Sequence, residues 1–138
     1  MGKSKPAPSR SILASLGNHH RLLSFVYLGS FRDDWVELGL DETDLEALEK
    51  RIIDRPEVGV VMPGTGGLRK VRFAPTKSNK GKSGSERVCY ALFPRPGLVL
   101  MVVVFSKDDK ENLTSSERNE VKAMLIQYET YMKNVGSQ

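Results

Sequence analysis

Residues 68–105 read LRKVRFAPTKSNKGKSGSERVCYALFPRPGLVLMVVVF, and this stretch decides the fold. In LRKVRF the side chains alternate, so Val71 and Phe73 share one face of an extended chain while Lys70 and Arg72 share the other. RVCYALF is a second strand-like segment, and LVLMVVVF is apolar throughout, which is typical of a central strand covered on both faces. A polar loop and a PRPG turn join the three segments, which predicts an antiparallel meander of neighbouring strands.

Helices and one further strand complete the predicted domain. RLLSFVYLGSF, residues 21–31, is rich in β-branched and aromatic residues and predicts a strand, and FRDDWVELGL predicts a short helix after it. Asp41 is the expected N-cap of a longer helix that ends before Pro56. The buried stripe of that helix is formed by Leu45, Leu48, Ile52 and Ile53. TSSE, residues 114–117, is a capping box that opens a terminal helix, whose inward positions are Val121, Met124, Leu125, Tyr128 and Met132.

The predicted fold class is therefore α+β, with a central, mainly antiparallel sheet, two N-terminal helices and one C-terminal helix. A chain of 138 residues suits a single compact domain, which we expect at residues 21–138. Residues 1–20 show no sustained hydrophobic period and many small or polar side chains. They predict a flexible N-terminal extension.

The composition argues against a membrane or secreted protein. The longest apolar run has eight residues, whereas a membrane-spanning helix needs about 20. The N-terminus does not read as a secretory signal, and the single cysteine, Cys89, excludes an internal disulfide. We therefore expect a cytoplasmic protein in which Cys89 packs within the sheet.

Charge is distributed unevenly along the chain. The net charge is +4, but residues 33–57 hold ten acids and three bases, whereas residues 66–87 hold seven bases and one acid. Such asymmetry predicts a basic face for a polyanion and an acidic, solvated face elsewhere.

The candidate site is cationic, and no metal or cofactor is expected for it. The chain has no zinc or calcium ligand pattern, no phosphate-binding GxxxxGK[ST] loop and no GxSxG motif. Lys70 and Arg72 lie side by side on one strand, Arg87 opens the next, and Lys107 follows the central strand. Together with Arg69, Lys77, Lys80 and Lys82, these four predict a basic patch suited to a nucleic-acid backbone.

Clustered cations can cleave RNA because the substrate supplies its own nucleophile, the 2′-hydroxyl. The enzyme must remove a proton, stabilise the negative pentavalent phosphate and protonate the leaving 5′-oxygen, and cations perform the second task directly. A lysine among arginines is disfavoured in its charged form, so Lys70 is a candidate base. The same patch would also suit a protein that holds nucleic acid without cutting it.

Four motifs resemble the HigB branch of the RelE-like toxins of bacterial toxin–antitoxin systems: PGTGGLRKVRFA at residues 63–74, GKSG at 81–84, RVCY at 87–90 and FSKDDKENLTSSE at 105–117. The resemblance covers about residues 22–133. It implies a compact RelE-like domain and a ribosome-dependent mRNA interferase that inhibits translation. It also implies, as partners, the ribosome, mRNA and a cognate antitoxin with a helix-turn-helix domain, and operator DNA only through the antitoxin complex.

Carried over to this chain, the resemblance makes Lys70 the base, Arg72 and Arg87 the stabilisers of the phosphorane, and Lys107 a phosphate contact or proton donor. The chain departs from the family pattern where Asp108 replaces an arginine, where Glu86 follows Gly-Ser instead of Gly-Gly, and where a late tyrosine has no match. Two alternatives follow. One is a ParE-like toxin that acts on DNA gyrase, and the other is a catalytically weak member that only binds antitoxin or the operator complex.

Overall fold

The computed structural model describes residues 23–75 and 86–136, with side chains up to residue 134. Its elements are, in chain order, β1 (Ser24–Tyr27), α1 (Phe31–Glu37), α2 (Glu42–Asp54), β2 (Val60–Val61), β3 (Arg69–Phe73), β4 (Glu86–Phe93), β5 (Leu98–Ser106) and α3 (Ser115–Gly136). The predicted extension, residues 1–20, and the loop lysines Lys77, Lys80 and Lys82 lie outside the described residues.

One five-stranded sheet organises the domain, in the order β1-β5-β4-β3-β2. Strands β3, β4 and β5 form the predicted antiparallel meander, and β1 pairs with β5 in parallel. The prediction of an α+β fold with a mainly antiparallel sheet is confirmed. Strand β5 lies between β1 and β4, and its side chains join hydrophobic clusters on both faces of the sheet, which explains why its sequence is apolar throughout.

Two parts of the sheet differ from the sequence-based expectation. Among the described residues, the first strand ends at Tyr27 and not at Phe31, because Gly29, at φ 51°, turns the chain into α1. Strand β2 was not predicted, and it consists of two residues that pair with Lys70 and Arg69 of β3. A pairing of that length leaves no periodic pattern in the sequence.

A hydrophobic cluster lies on each face of the sheet, because β3, β4 and β5 alternate their side chains. Helices α1 and α2 pack against Val71, Phe73 and Val88 through a cluster that includes Trp35 and Leu48. On the other face, α3 packs against a second cluster, whose buried members include Cys89, Ala91, Phe105, Leu113 and Leu125. None of the described helices is long and apolar enough to cross a membrane.

Both predicted helix caps are present. The Asp41 side chain accepts a hydrogen bond from the Asp44 N–H, and the Asp44 side chain accepts one from the Asp41 N–H. At the start of α3, Thr114 Oγ1 accepts from the Glu117 N–H at 3.1 Å, and Glu117 Oε1 accepts from the Thr114 N–H at 2.8 Å. The second box fixes the end of the turn segment, residues 107–114, that joins β5 to α3.

Candidate nucleic-acid site

The register of β3 and β4 places three of the predicted catalytic cations on one face of the sheet. Arg72 lies directly opposite Arg87, and Lys70 lies opposite Cys89. Directly opposed residues on antiparallel strands have Cα atoms about 5 Å apart and side chains on the same face. Lys70, Arg72 and Arg87 therefore project from the face that α3 covers further along, beside the turn segment.

Arg87 is the buried member of this cationic cluster. Its side chain is 3% exposed, and its Nη2 donates a hydrogen bond to Glu111 Oε2 at 2.7 Å. The Glu111 side chain, by contrast, is 56% exposed. A buried guanidinium needs anionic or polar partners to offset its loss of hydration. The turn segment supplies one of them, and it holds a carboxylate at the mouth of the cluster.

Lys70 contacts residues 111 and 112 of the turn segment. Its Nζ donates to the backbone oxygen of Glu111 at 3.3 Å and to Oδ1 of Asn112. Buried Leu113 and the capping box at Thr114 follow directly, so these residues are anchored on their C-terminal side. Three hydrogen bonds from two of the predicted catalytic cations thus converge on residues 111 and 112.

The pKa of Glu111 reflects the nearby positive charges. The pKa of Glu111 is lowered, first by its hydrogen bond from Arg87 and further by the positive charges of Arg87, Lys70 and Arg72, although desolvation opposes the shift. The carboxylate is therefore ionised at neutral pH. Glu111 is thus an anion that interacts with the charges of three cations.

Two of the predicted cations lie away from this point. Arg69 precedes Lys70 on β3 and points to the other face, where its Nη1 donates to the backbone oxygens of Gly59 at 2.7 Å and Glu57 at 3.4 Å. Lys107 is exposed in the turn after β5, and within the described part of the chain no contact joins it to the cluster. The structure therefore brings together Lys70, Arg72 and Arg87 on one face of the sheet, and it places Arg69 on the other.

Sequence reasoning missed two charged residues of the turn segment. Lys110 Nζ lies 5.2 Å from the centre of the Phe105 ring and forms an ion pair with Glu117 at 2.9 Å. Glu111 is the second, and it is the residue that faces the cluster. The sequence feature that could have located them is the apolar Leu113 next to the capping box, because these two features fix the turn segment beside the end of β5.

Glu86 and Cys89 have less bearing on the cluster than their positions in the sequence suggest. Glu86 is 7% exposed and pairs with Phe73, so by alternation it lies on the face opposite to Arg87. Cys89 is fully buried, and this burial raises the pKa of its thiol to about 12 despite the nearby positive charges of Lys70 and Lys110. The thiol therefore stays neutral and packs in the core beside Met62.

Fold and site together define a small α+β domain with three cationic side chains on one face of its sheet, beside one ionised carboxylate. Within the described ranges, no group of three or more His, Cys, Asp or Glu side chains is arranged to hold a metal ion. No family model matches the chain. Among solved structures, the chain is similar to a free-state double mutant of the E. coli toxin RelE, with a TM-score of 0.47 and 16% sequence identity. The match covers 75% of this chain and 97% of the RelE chain.

Proposed function

We propose that this chain is the toxin component of a type II toxin–antitoxin system and acts as a ribosome-dependent mRNA endoribonuclease. The motifs at residues 63–74, 81–84, 87–90 and 105–117 support the toxin class through their resemblance to the HigB branch. The observation that carries the nuclease activity is the register-paired set of Lys70, Arg72 and Arg87 around one anionic group. A site that already holds a carboxylate among three cations is suited to hold a phosphate.

In the proposed reaction, the RNA 2′-oxygen attacks the adjacent phosphorus and the bond from phosphorus to the 5′-oxygen breaks. The products are a 2′,3′-cyclic phosphate and a free 5′-hydroxyl. Arg72 stabilises the charge that develops on the non-bridging oxygens, since a guanidinium group donates in pairs to such oxygens, and the buried Arg87 adds positive charge beneath them. Lys70 adds a third positive charge at about 6–7 Å along β3 from Arg72.

The remaining basic residues have a supporting role in this proposal. Lys107 is exposed at the end of β5 and would contact the RNA backbone beyond the cleaved bond. Lys77, Lys80 and Lys82 would contact RNA or the ribosome, and Arg69 would support β3 through its bonds to residues 57 and 59. The ribosome would present the mRNA, and a cognate antitoxin would cover the cluster and bring the complex to operator DNA. The activity would take place in the cytoplasm, where the ribosomes are.

The test is expression of the chain from a tight promoter, followed by primer extension on cellular mRNA and by cleavage assays with programmed ribosomes. Arg72→Ala is the central variant because Arg72 is exposed, so its loss should leave the fold intact. Arg95→Ala is its matched control, because Arg95 is an exposed arginine on the turn at the other end of β4. We expect growth arrest and cuts within translated frames for wild type and Arg95→Ala, and at least about a 100-fold slower cleavage for Arg72→Ala. Equal cleavage by both variants would contradict the assigned site.

A binding-only function is the second candidate, and one observation favours it. The hydrogen bonds of Lys70 and Arg87 to residues 111 and 112 already occupy part of the cluster that RNA would need. Such a protein would bind an antitoxin without slowing growth. Harmless expression of folded wild-type protein, with no mRNA cleavage on ribosomes, would support this function over the nuclease.

A further inference from the structure

The proposed cleavage needs a group that accepts the proton of the 2′-hydroxyl. Lys70 is the base that the family resemblance implies, but its Nζ donates to two oxygens, the backbone oxygen of Glu111 and Oδ1 of Asn112. In both contacts the nitrogen acts as a hydrogen-bond donor, whereas a general base has to act as an acceptor. The described residues include no histidine, so a proton acceptor among them has to come from another residue type.

We propose, on the basis of the nuclease function proposed above, that Glu111 is the general base of the cleavage reaction. It is the carboxylate that the turn segment holds beside Lys70, Arg72 and Arg87. Its side chain is 56% exposed, so a bound ribose can reach it, whereas its partner Arg87 lies beneath it and is 3% exposed. Arg87 thus orients the carboxylate from the protein side and leaves the solvent side to the substrate.

The position of Glu111 is fixed by more than its own side chain. Lys70 holds its backbone oxygen, Leu113 is buried two residues later, and Thr114 begins the capping box. A catalytic group needs to be held within about 0.5 Å of its working position, and anchored neighbours provide this. An ordinary surface ion pair would not require the backbone of the same residue to be bonded to a second cation.

Each proton that moves in the proposed step has a donor and an acceptor. The Glu111 carboxylate takes the proton of the 2′-hydroxyl as the 2′-oxygen bonds to phosphorus. The bond between phosphorus and the 5′-oxygen breaks, and the leaving oxygen takes a proton from the Lys70 ammonium. Exchange with water then removes the proton from Glu111 and returns one to Lys70.

The test is single-turnover cleavage on programmed ribosomes between pH 6 and pH 9 by wild type, Glu111→Gln, Glu111→Asp and Asp109→Asn. Asp109→Asn is the matched control, since it removes an exposed carboxylate from the same turn segment. We expect wild type and Asp109→Asn to be fast and nearly independent of pH, because an ionised carboxylate does not titrate in this range. We expect Glu111→Gln to be at least about 100-fold slower at pH 7, and its rate to rise about tenfold per pH unit as hydroxide replaces the base. Glu111→Asp should retain part of the rate.

Two results would overturn the role of Glu111 while leaving the nuclease intact. If Glu111→Gln cleaves as fast as wild type or faster, the carboxylate only ties down the turn segment or blocks the cluster. If wild type and Glu111→Gln both rise with pH in parallel, an amine such as Lys70 is the base. A wild-type protein that cleaves nothing at any pH would remove the proposed function itself and this inference with it. Circular dichroism and ribosome co-sedimentation of each variant separate a chemical effect from loss of fold or of binding.

Discussion

Replacing Tyr90 by phenylalanine should measure how firmly the connection between α2 and β2 is tied to the sheet. The Tyr90 hydroxyl donates to the Pro56 backbone oxygen at 2.7 Å and accepts from the Gly59 N–H at 2.9 Å. Tyr90 is fully buried, and a Cβ at Gly59 would lie 2.8 Å from its ring, so chain and ring are in close contact. The substitution removes one oxygen and leaves the ring in place.

The expected cost follows from the two groups that lose their partner. A buried donor or acceptor left unsatisfied costs about 1–3 kcal/mol, so we expect about 2 kcal/mol for Tyr90→Phe. For a domain of this size, that corresponds to a fall in Tm of about 6–10 °C. Tyr131→Phe is the matched control, because Tyr131 is 63% exposed and its change should stay within about 0.5 kcal/mol.

The difference in unfolding free energy between wild type and Tyr90→Phe should change with pH in one direction. Burial raises the pKa of the Tyr90 phenol above its usual 10.0, although the Gly59 hydrogen bond and the charge of Arg69 oppose the shift. A raised folded-state pKa gives stability that is fully present below pH 10 and is lost as the pH rises through the folded value. The gap between wild type and Tyr90→Phe should therefore be constant at neutral pH and narrow above about pH 10. Urea unfolding at pH 7 and pH 10.5 measures it, and a gap below 0.5 kcal/mol, or one that widens at high pH, would refute the reasoning.

Two other predictions concern the core and the turn segment. Cys89 should not react with iodoacetamide at pH 8 in the folded protein, because it is fully buried with a thiol pKa of about 12. It should react after unfolding in urea, and mass spectrometry measures both reactions. Labelling of the folded protein at the rate of a free thiol would contradict the packing. Thr114→Ala should lower the free energy of unfolding by about 1 kcal/mol, because it removes the oxygen that caps α3, while Thr114→Ser should not. If the turn segment positions Glu111, Thr114→Ala should also slow cleavage at temperatures where the variant is folded, and an unchanged rate would mean that the cap does not position it.

The sequence predicted those parts of the fold that depend on patterns within a few consecutive residues. Alternation in LRKVRF placed Lys70 and Arg72 together on one face, and the Asp41 and Thr114 caps fixed the start of α2 and of α3. These features depend on a few neighbouring residues. The parallel pairing of β1 with β5 and the short strand β2 join distant segments, and no local pattern specifies them.

The candidate site shows the same division between local and distant information. Neighbouring strands in a meander pair directly, so the sequence could predict that Arg72 and Arg87 lie close together. The position of Glu111 was not, because it depends on how the turn segment folds back over the sheet, and it lies 24 residues from Arg87 along the chain.

Arg87 and Glu111 differ strongly in burial, and burial has two opposing effects on an ion pair. It reduces the screening of the attraction, but it also removes the charges from water at a cost that can exceed the gain. Here the arginine is 3% exposed and the carboxylate is 56% exposed, so the attraction is screened while the desolvation of the arginine is nearly complete. Such an arrangement holds a cation rigidly at the floor of the cluster and keeps an ionised oxygen in contact with solvent. The proposed nuclease would use both features, because the carboxylate stays accessible to the substrate and the cost of removing it from water is avoided.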